Sequence, residues 1–202
     1  MLRINLLILL ICFFKSVYAD EENGQWQLIT DEDGIQVYTI DLNNTDIVKA
    51  KAITVISSTM SRIRQELDDI DSRHEWVPFL KQSRLIVVNS NTRHLEYSLF
   101  SAPWPASNRD FVYSMELVLE TDEQFKYEMK SVLSDRMPEQ AGLIRGEIFE
   151  SNYIITKLDE NLTRVELVYH ADPKGWLPNW IVNIIQEILP HKILRNLRRR
   201  VE

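Results

Sequence analysis

The residue types that carry most enzyme chemistry are present in this chain, but not at catalytic spacings. The histidines, His74, His94, His170 and His191, lie far apart, and none belongs to a recognised metal-binding motif. A phosphate-binding loop needs several glycines close together, and the whole chain has 5. Its single cysteine is Cys12, and no serine lies in a nucleophile-elbow motif. The sequence therefore predicts no catalytic group, no metal and no cofactor.

Without a catalytic motif, the most informative stretch is the C-terminal one, from Trp176 to Glu202. Its apolar residues recur at helical spacing, which predicts a helix of about seven turns with an apolar stripe along one face. The stripe comprises Leu177, Trp180, Ile181, Ile184, Ile185, Ile188, Leu189, Ile193, Leu194, Leu197 and Val201. Pro178 suits a helix start, but Pro190 removes an internal hydrogen bond. We therefore expect a bend near Leu189, or two helical segments in line.

The rest of the chain predicts mainly strands that could cover this stripe. They are Trp26–Thr30, Ile35–Asp41, Val48–Ile56, Ser83–Asn89, Arg93–Phe100, Asp110–Glu120, Gln124–Val132, Gly142–Phe149, Tyr153–Leu158 and Thr163–Ala171. Clean alternation of apolar and charged residues in two of them is typical of an antiparallel sheet with one covered face. A helix from Ser58 to Asp69, capped by Ser58, completes an α+β domain over residues 22–202. A large sheet curled around one helix leaves room for an internal cavity.

The N-terminus has the layout of a secretory signal peptide over residues 1–19. Arg3 precedes an apolar run, and the small residue Ala19 closes the segment. Removal of these residues takes away Arg3, Lys15 and Cys12, so the mature chain is thiol-free and more acidic than the net charge of −7 for the full chain. We expect an exported protein, periplasmic in a Gram-negative bacterium and otherwise secreted, with an uncleaved N-terminal anchor as the alternative. The acidic balance argues against nucleic-acid binding.

Several motifs in this chain resemble the START family, the steroidogenic acute regulatory protein-related lipid-transfer domains. They are Asp33-Gly-Ile-Gln-Val-Tyr38, Pro103-Trp-Pro105 with Arg109-Asp-Phe-Val112, Met137-Pro-Glu-Gln-Ala-Gly-Leu-Ile-Arg145, and Asp172-Pro-Lys-Gly-Trp-Leu-Pro178. The resemblance spans roughly Gln25 to Glu202. It implies a helix-grip fold, in which a curved antiparallel sheet wraps the C-terminal helix around a hydrophobic tunnel. It also implies a lipid ligand, such as a sterol, a phospholipid or a fatty acid.

The resemblance also places candidate binding residues. In its sterol-binding branch, an acidic residue faces a buried arginine on the next strand. Glu96 fits the acid, but Met115 stands where the arginine is expected. If Glu96 is buried without that arginine, its pKa should rise, and a neutral carboxyl could hydrogen-bond a lipid hydroxyl. The alternative is an exposed carboxylate. Met115 itself belongs to the core or lines the tunnel.

The loop Ser101–Asn108 flanks the tunnel mouth in this family. Trp104 in this loop either gates the tunnel and enters a membrane interface, or packs on the terminal helix. Arg109 either pairs with Asp110 or grips a lipid head group, whereas Arg145 is expected to face solvent or pair with Glu147. The predicted lipid-binding set is Glu96, Trp104, Arg109, Met115, Tyr127, Leu177, Ile181, Ile184, Ile185 and Ile188.

These observations predict a protein that binds a lipid internally and carries it between membranes outside the cytoplasm. We expect a monomer that contacts a membrane surface transiently. Two alternatives remain open at this point. The protein could be a lipid sensor acting through a partner protein, or an enzyme of the cyclase or hydrolase type that acts on a ligand in the cavity, since helix-grip proteins include such enzymes.

Overall fold

The computed structural model describes residues 25–42, 47 and 49–202. The predicted signal peptide at residues 1–19 and the first residues of the predicted domain, 22–24, lie outside the described residues. Among those described, no helix is both long and apolar enough to cross a membrane.

A single sheet of 10 strands dominates the molecule. The strands are β1 (Gln27–Glu32), β2 (Ile35–Ile40), β3 (Lys49–Ile56), β4 (Leu80–Val88), β5 (Arg93–Phe100), β6 (Arg109–Glu120), β7 (Gln124–Ser131), β8 (Ile144–Arg145), β9 (Glu147–Asp159) and β10 (Leu162–Asp172). Their order is β1-β2-β3-β10-β9-β7-β6-β5-β4 with antiparallel neighbours, and β8 lies parallel to β6. This is the curved antiparallel sheet that the sequence predicts.

Alternating side chains give the sheet one dry face. On β7, Phe125, Tyr127 and Met129 are buried, while the residues between them are more exposed. β10 buries Val165 and Leu167 on the same side. Period-2 alternation places these residues on one face of the sheet, where they pack against the terminal helix.

The prediction of separate strands at Gly142–Phe149 and Tyr153–Leu158 is wrong. The polar run from Glu150 to Asn152 suggests a turn, but it lies inside the single strand β9. Ser151 and Asn152 are buried there, and the Ser151 hydroxyl donates to the carbonyl of Val168 at 2.9 Å. Pairing with β10 thus satisfies the Ser151 hydroxyl, while the side-chain amide of Asn152 donates to Glu150 on the same strand at 2.7 Å.

Two short helical elements follow β3. Helix α1 spans Met60–Asp68, and a 3₁₀ turn spans Arg73–Glu75. The cap of α1 is Thr59, whose hydroxyl accepts from the backbone N–H of Arg62 at 3.1 Å. The prediction of a Ser58 cap is therefore wrong, because the Ser58 hydroxyl donates instead to the carbonyl of Val201 at 3.1 Å.

The terminal helix consists of segments in line rather than one regular helix. Helix α2 (Asn179–Asn183) continues into a π-helical segment (Ile184–Ile188) and then into α3 (Leu189–Val201). The N–H of Leu189 bonds to the carbonyl of Ile184, five residues back. Pro190 lies in the first turn of α3, where its missing N–H costs little. The wider π segment therefore accommodates the proline inside a continuous helical run.

The two ends of the terminal helix are attached differently. On α3, Asn196 donates to the carbonyl of Trp76 at 2.8 Å and Arg198 to that of Asp33 at 2.7 Å. Arg200 pairs with Glu66 at 2.8 Å and also reaches Glu75. Among the described residues, no side-chain hydrogen bond or ion pair joins α2 or the π segment to the sheet. That half of the helix is attached by apolar contacts alone.

Close packing of the sheet around Gly146 gives a first prediction. A Cβ at this position would lie 2.3 Å from the ring of Phe111. We expect Gly146→Ala to lower the free energy of unfolding by about 1–3 kcal/mol, the usual cost of overpacking. Urea denaturation measures it. The control is the same substitution in a Phe111→Ala background, where the ring that the Cβ would meet is absent. An equal loss with and without the ring would contradict the expected clash.

Candidate functional site

An apolar cavity lies between the sheet and the terminal helix. Its volume is about 160 Å³, and its walls come from α1, the 3₁₀ turn, β4 to β7, β9, β10 and the helix. The terminal helix contributes Ile181, Ile184, Ile185, Leu189 and Ile193, and Leu177 lies just before its start. An apolar void of about 150 Å³ in a protein core stays dry and takes up small apolar molecules. The interior therefore suits an alkyl group better than water.

The buried end of the cavity carries an ion pair. Arg73, from the 3₁₀ turn, forms one wall, and both terminal nitrogens of its guanidinium donate to the carboxylate of Glu96 on β5. The Tyr113 hydroxyl donates to the same carboxylate at 2.7 Å, and Ser98 lies 3.0 Å from that hydroxyl. Arg73 Nη2 also donates to the carbonyl of Leu67 at 2.7 Å. The charged groups thus have hydrogen-bond partners although they are buried.

The ion pair keeps Glu96 ionised. Burial by itself opposes ionisation, but the charge of Arg73 and hydrogen bonds from His94, Arg73 and Tyr113 outweigh it and lower the pKa of Glu96 to about 2. Burial works against the charge of Arg73 as well, yet the neighbouring Glu96 carboxylate raises the pKa of Arg73 above its ordinary value. Tyr113 keeps its proton, because burial and the nearby Glu96 charge raise its pKa.

Both sequence-based readings of Glu96 are therefore wrong. The carboxyl is neither exposed nor neutral, since Glu96 is 0% exposed and paired. The arginine does not come from the neighbouring strand. It comes from Arg73, whose Nη2 lies 3.9 Å from the sulfur of Met115, the residue that stands where the arginine was expected. Met115 is buried and lines the cavity, as one of its two readings predicts.

His94 connects the ion pair to solvent. Its Nε2 lies 2.7 Å from Glu96 Oε1, and its side chain is 21% exposed. Glu96 and His94 do not line the cavity themselves but lie behind Arg73. The order from the cavity outward is therefore Arg73, Glu96, His94 and water.

The opposite end of the cavity reaches the surface between the loop Ser101–Asn108 and the start of the terminal helix. Ser101, Ala102 and Pro103 line the cavity there. Trp104 follows with 89% of its surface exposed, so the reading in which it packs on the terminal helix is wrong. Phe79 lines the cavity and is 39% exposed. Near the start of the terminal helix, Trp176 and Trp180 are 67% and 48% exposed.

Arg109 holds the two sides of the mouth together. Its guanidinium donates to the carbonyl of Ser107 in the loop, to that of Lys174 at 3.3 Å and to that of Trp176 at 3.1 Å. Burial lowers its pKa. The predicted pairing with Asp110 is wrong, because neighbouring residues of a strand point to opposite faces of the sheet.

Asp110 pairs instead with Arg145 across the β6–β8 register. The two carboxylate oxygens accept from Arg145 Nε at 2.9 Å and from its Nη2 at 3.0 Å. Arg145 is therefore neither solvent-facing nor paired with Glu147, whose carboxylate lies 2.8 Å from Lys174. These contacts support the strand that carries the cavity wall.

The role of Arg109 gives a second prediction. Arg109→Met removes charged donors from backbone carbonyls on both sides of the mouth, and each such bond contributes about 1.5–3 kcal/mol. We expect backbone amides in residues 101–108 and 174–180 to exchange hydrogen at least about tenfold faster, a change of about 1.4 kcal/mol. Exchange mass spectrometry measures this. Arg199→Met removes an exposed arginine near the end of α3 and is the control, and equal acceleration in both variants would refute this role of Arg109.

The remaining predicted residues fall into two groups. Leu177, Ile181, Ile184 and Ile185 line the cavity together with Met115 and Arg109. Tyr127 and Ile188 do not.

Tyr127 and Ile188 lie outside the cavity for different physical reasons. The Tyr127 hydroxyl donates to Asp68 at 2.5 Å, which turns it toward α1, and burial together with this bond raises the pKa of Tyr127. Ile188 is 40% exposed, because the π segment has more residues per turn than an α-helix and rotates the following positions. Leu189 takes the inward place instead.

Sequence reasoning missed the polar residues of the cavity wall. Arg73, Ser98, Tyr113, Ser151 and Tyr153 all line it. Tyr113 could have been found, since it alternates with Phe111 and Met115 on one face of β6. Arg73 gave no such signal, because a charged residue in a turn is usually exposed. Within the described ranges, no group of three or more His, Cys, Asp or Glu residues could hold a metal ion.

Known proteins share this sequence and architecture. The START domain model matches residues 14–200. Phosphatidylcholine transfer protein of Mus musculus is 26% identical over 164 residues, which cover 79% of this chain and 76% of that protein. A STAR-related lipid transfer protein from Xanthomonas axonopodis is 26% identical with a TM-score of 0.75, over 87% of this chain and 98% of that one.

A further solved structure shows the shared fold. Human StAR-related lipid transfer protein 5 has a TM-score of 0.80 at 18% identity, over 87% of this chain and 86% of that one. The cavity beneath the terminal helix, the curved sheet and the family match agree with one another. The chain belongs to the START domain family, whose members named above are lipid-transfer proteins.

Proposed function

We propose that the protein binds one membrane lipid in its cavity and carries it between membranes outside the cytoplasm. The observation that carries this proposal is the amphipathic cavity, which is apolar along the helix and charged at its buried end. The void of about 160 Å³ is smaller than a whole lipid, so we propose that α2 and the π segment move outward on binding. The alkyl tail would then lie along Ile181, Ile184 and Ile185, with the polar head toward Arg73. We propose no chemical step for it.

Among lipids, a phospholipid is the class that we propose. The Arg73 guanidinium at the end of the cavity is a planar donor that suits phosphate oxygens. The similarity to phosphatidylcholine transfer protein supports the same class. A sterol or a fatty acid would also fill the apolar part, so ligand identification decides among the three.

The energetics suit exchange rather than storage. Burial of one methylene gains about 0.8 kcal/mol, so a 16-carbon chain gains on the order of 10 kcal/mol against water. A bilayer offers about the same gain. The free energy of moving the lipid between membrane and protein is therefore nearly balanced, and the protein acts by removing the exposure of the chain to water during transit.

The exposed tryptophans at the mouth form the proposed membrane-contact surface. Trp104, Trp176 and Trp180 are exposed, and each adjoins in the chain a residue that lines the cavity. Indole favours the membrane–water interface. Contact there would place the mouth against the bilayer and leave Arg73 at the far end of the cavity. The lipid could then enter with its head group first and its tail toward the bilayer, without passing through water.

The proposed place of action rests on the N-terminal segment. Residues 1–19 have the pattern of an export signal, and the only cysteine lies within it. We propose a periplasmic or secreted monomer that meets membranes transiently. Cell fractionation with N-terminal sequencing of the mature chain tests the first part, and a cytoplasmic, uncleaved protein would refute it.

Mass spectrometry of the protein purified under native conditions tests binding. We expect one co-purifying phospholipid per chain, and transfer of a labelled lipid of that class between donor and acceptor vesicles. Purification without any lipid, together with no uptake from vesicles, would refute the proposal. Binding without transfer would favour a sensor instead.

A further inference from the structure

We propose that His94 sets the charge of the head group that the cavity accepts. Neutral His94 favours a zwitterionic lipid, and protonated His94 favours an anionic one. The proposal rests on the proposed function and deepens it, because it concerns the same buried end of the cavity. His94 acts through Glu96 and Arg73 rather than by touching the lipid, so it is a positioning residue.

The contacts form a continuous path from solvent to the cavity wall. His94 Nε2 lies 2.7 Å from Glu96 Oε1. The other oxygen of the same carboxylate accepts from Arg73 Nη1 and from the Tyr113 hydroxyl. Glu96 is fully buried, whereas His94 is 21% exposed and can take a proton from water. A change of charge at His94 therefore alters the electrostatic environment of Arg73, because both side chains contact the Glu96 carboxylate.

Among the described residues, few other charged groups pair with His94 or with its strand neighbours. Its strand neighbours are Val88 on β4 and Met115 on β6, and neither titrates. From the 3₁₀ turn comes Arg73, and from β6 comes Tyr113, whose proton stays in place because burial raises its pKa.

A second ion pair lies nearby and has no net charge. Arg93 and Glu116, the next pair along the ladder, are half-exposed and neutralise each other at 3.8 Å. No charged residue of β4 pairs with His94, since its partner there is Val88. The charge of the inner end therefore varies with His94.

The net charge at the buried end of the cavity determines which lipid head group is preferred. With neutral His94, the charges of Arg73 and Glu96 sum to zero, which suits a head group of zero net charge. Because the pKa of Glu96 is about 2, its carboxylate stays ionised when His94 takes up a proton. The carboxylate is then shared by two cations, and the inner end carries one net positive charge. Histidine is the side chain that changes charge between about pH 5 and 8.

Competition within one vesicle tests the proposal. The protein is equilibrated with vesicles of equimolar phosphatidylcholine and phosphatidylglycerol at about pH 8 and about pH 5.5. It is then re-isolated, and mass spectrometry gives the ratio of bound lipids. We expect the phosphatidylglycerol-to-phosphatidylcholine ratio to rise on the order of tenfold at the lower pH, since one charge is added near the head group. Both lipids come from the same vesicle, so changes in docking cancel.

Two histidine variants make the test specific. His94→Gln keeps a donor for Glu96 but cannot take up a proton, so its ratio should be the same at both pH values and match that of the native protein at high pH. His74→Gln is the control, since His74 follows Arg73 but is exposed and bonds to the carbonyl of Asp71 at 2.7 Å. It should keep the full pH response.

The outcomes separate the two proposals. Lipid uptake with a pH response in the native protein and in His74→Gln, but not in His94→Gln, supports the role of His94. Lipid uptake with an unchanged ratio, or with the same response in His94→Gln, overturns that role and leaves the carrier function intact. Absence of uptake at both pH values overturns the carrier function and the role of His94 together.

Discussion

We expect Arg73→Met to lower the free energy of unfolding by about 3–5 kcal/mol at neutral pH, the usual cost of leaving one partner of a buried ion pair alone. Glu96 is 0% exposed, and among the residues that the structure describes its cationic partners are Arg73 and, when protonated, His94. Its carboxylate would be left in the core without a permanent counter-charge. Urea denaturation at pH 7 measures the loss.

The pH dependence of this loss has a definite sign. In the native protein the pKa of Glu96 falls from its ordinary 4.5 to about 2. The resulting stabilisation is complete above pH 4.5 and is lost as the pH falls toward 2. In Arg73→Met, burial without the cation should raise the pKa of Glu96, so that variant loses stability as the pH rises through the raised value. The gap between the two proteins should therefore be widest at neutral pH and narrow on acidification.

A double variant distinguishes the buried charge from lost packing. Arg73→Met with Glu96→Gln removes both charges and keeps an acceptor for Tyr113. We expect it to recover more than half of the loss, because a neutral pair no longer carries the penalty of an uncompensated charge. A double variant as unstable as Arg73→Met at every pH would show that the loss comes from packing.

The second large effect is expected at the mouth. Replacing Trp104 and Trp176 by alanine should slow lipid transfer between vesicles about tenfold, since that loss corresponds to about 1.4 kcal/mol of membrane contact. Both side chains are mostly exposed, so the free energy of unfolding should change by less than about 0.5 kcal/mol. Labelled-lipid transfer and urea denaturation measure the two quantities on the same preparations.

The control for the tryptophans lies at the opposite end of the sheet. Val55 and Leu158 are 43% and 50% exposed and lie near the ends of β3 and β9, far along the ladder from Arg109. Replacing both by alanine removes exposed apolar surface without touching the mouth. Equal slowing in this variant, or unchanged transfer in the tryptophan variant, would contradict a membrane contact at the mouth.

Local patterns were sufficient to predict most of the fold. The alternation around Tyr127 and in β10 identified strands with one buried face, and the spacing of Ile181, Ile184 and Ile185 identified the cavity side of the terminal helix. These patterns depend on which face of one element is dry, and that information lies in consecutive residues.

The polar contacts could not be predicted in the same way. Arg73 meets Glu96 from 23 residues away because a 3₁₀ turn aims it under the sheet, and no periodicity records that direction. Arg109 and Asp110 are a second case. The predicted strand begins at Asp110, whereas β6 begins at Arg109, and alternation along β6 places the two side chains on opposite faces.

The π segment shows a different limit. Pro190 signals an irregularity, but whether the helix bends or widens depends on how the next turn packs. Here the extra residue lets Leu189 and Ile193 continue the inner face and leaves Ile188 outside. A regular α-helix would place Ile188 on the inner face, whereas in the structure Ile188 is 40% exposed.

Because the two halves of the terminal helix are attached differently, the melting temperature and the rate of lipid exchange should depend on different residues. Residues of Leu189–Val201 are tied by polar contacts to the β1–β2 turn and to α1, whereas Asn179–Ile188 rests on apolar contacts. Such a segment detaches at a lower free energy than the whole domain unfolds. A mutation that adds a contact between α3 and the rest of the domain should raise the melting temperature without slowing lipid exchange. A mutation that adds a hydrogen bond between α2 and the sheet should slow lipid exchange and leave the melting temperature nearly unchanged.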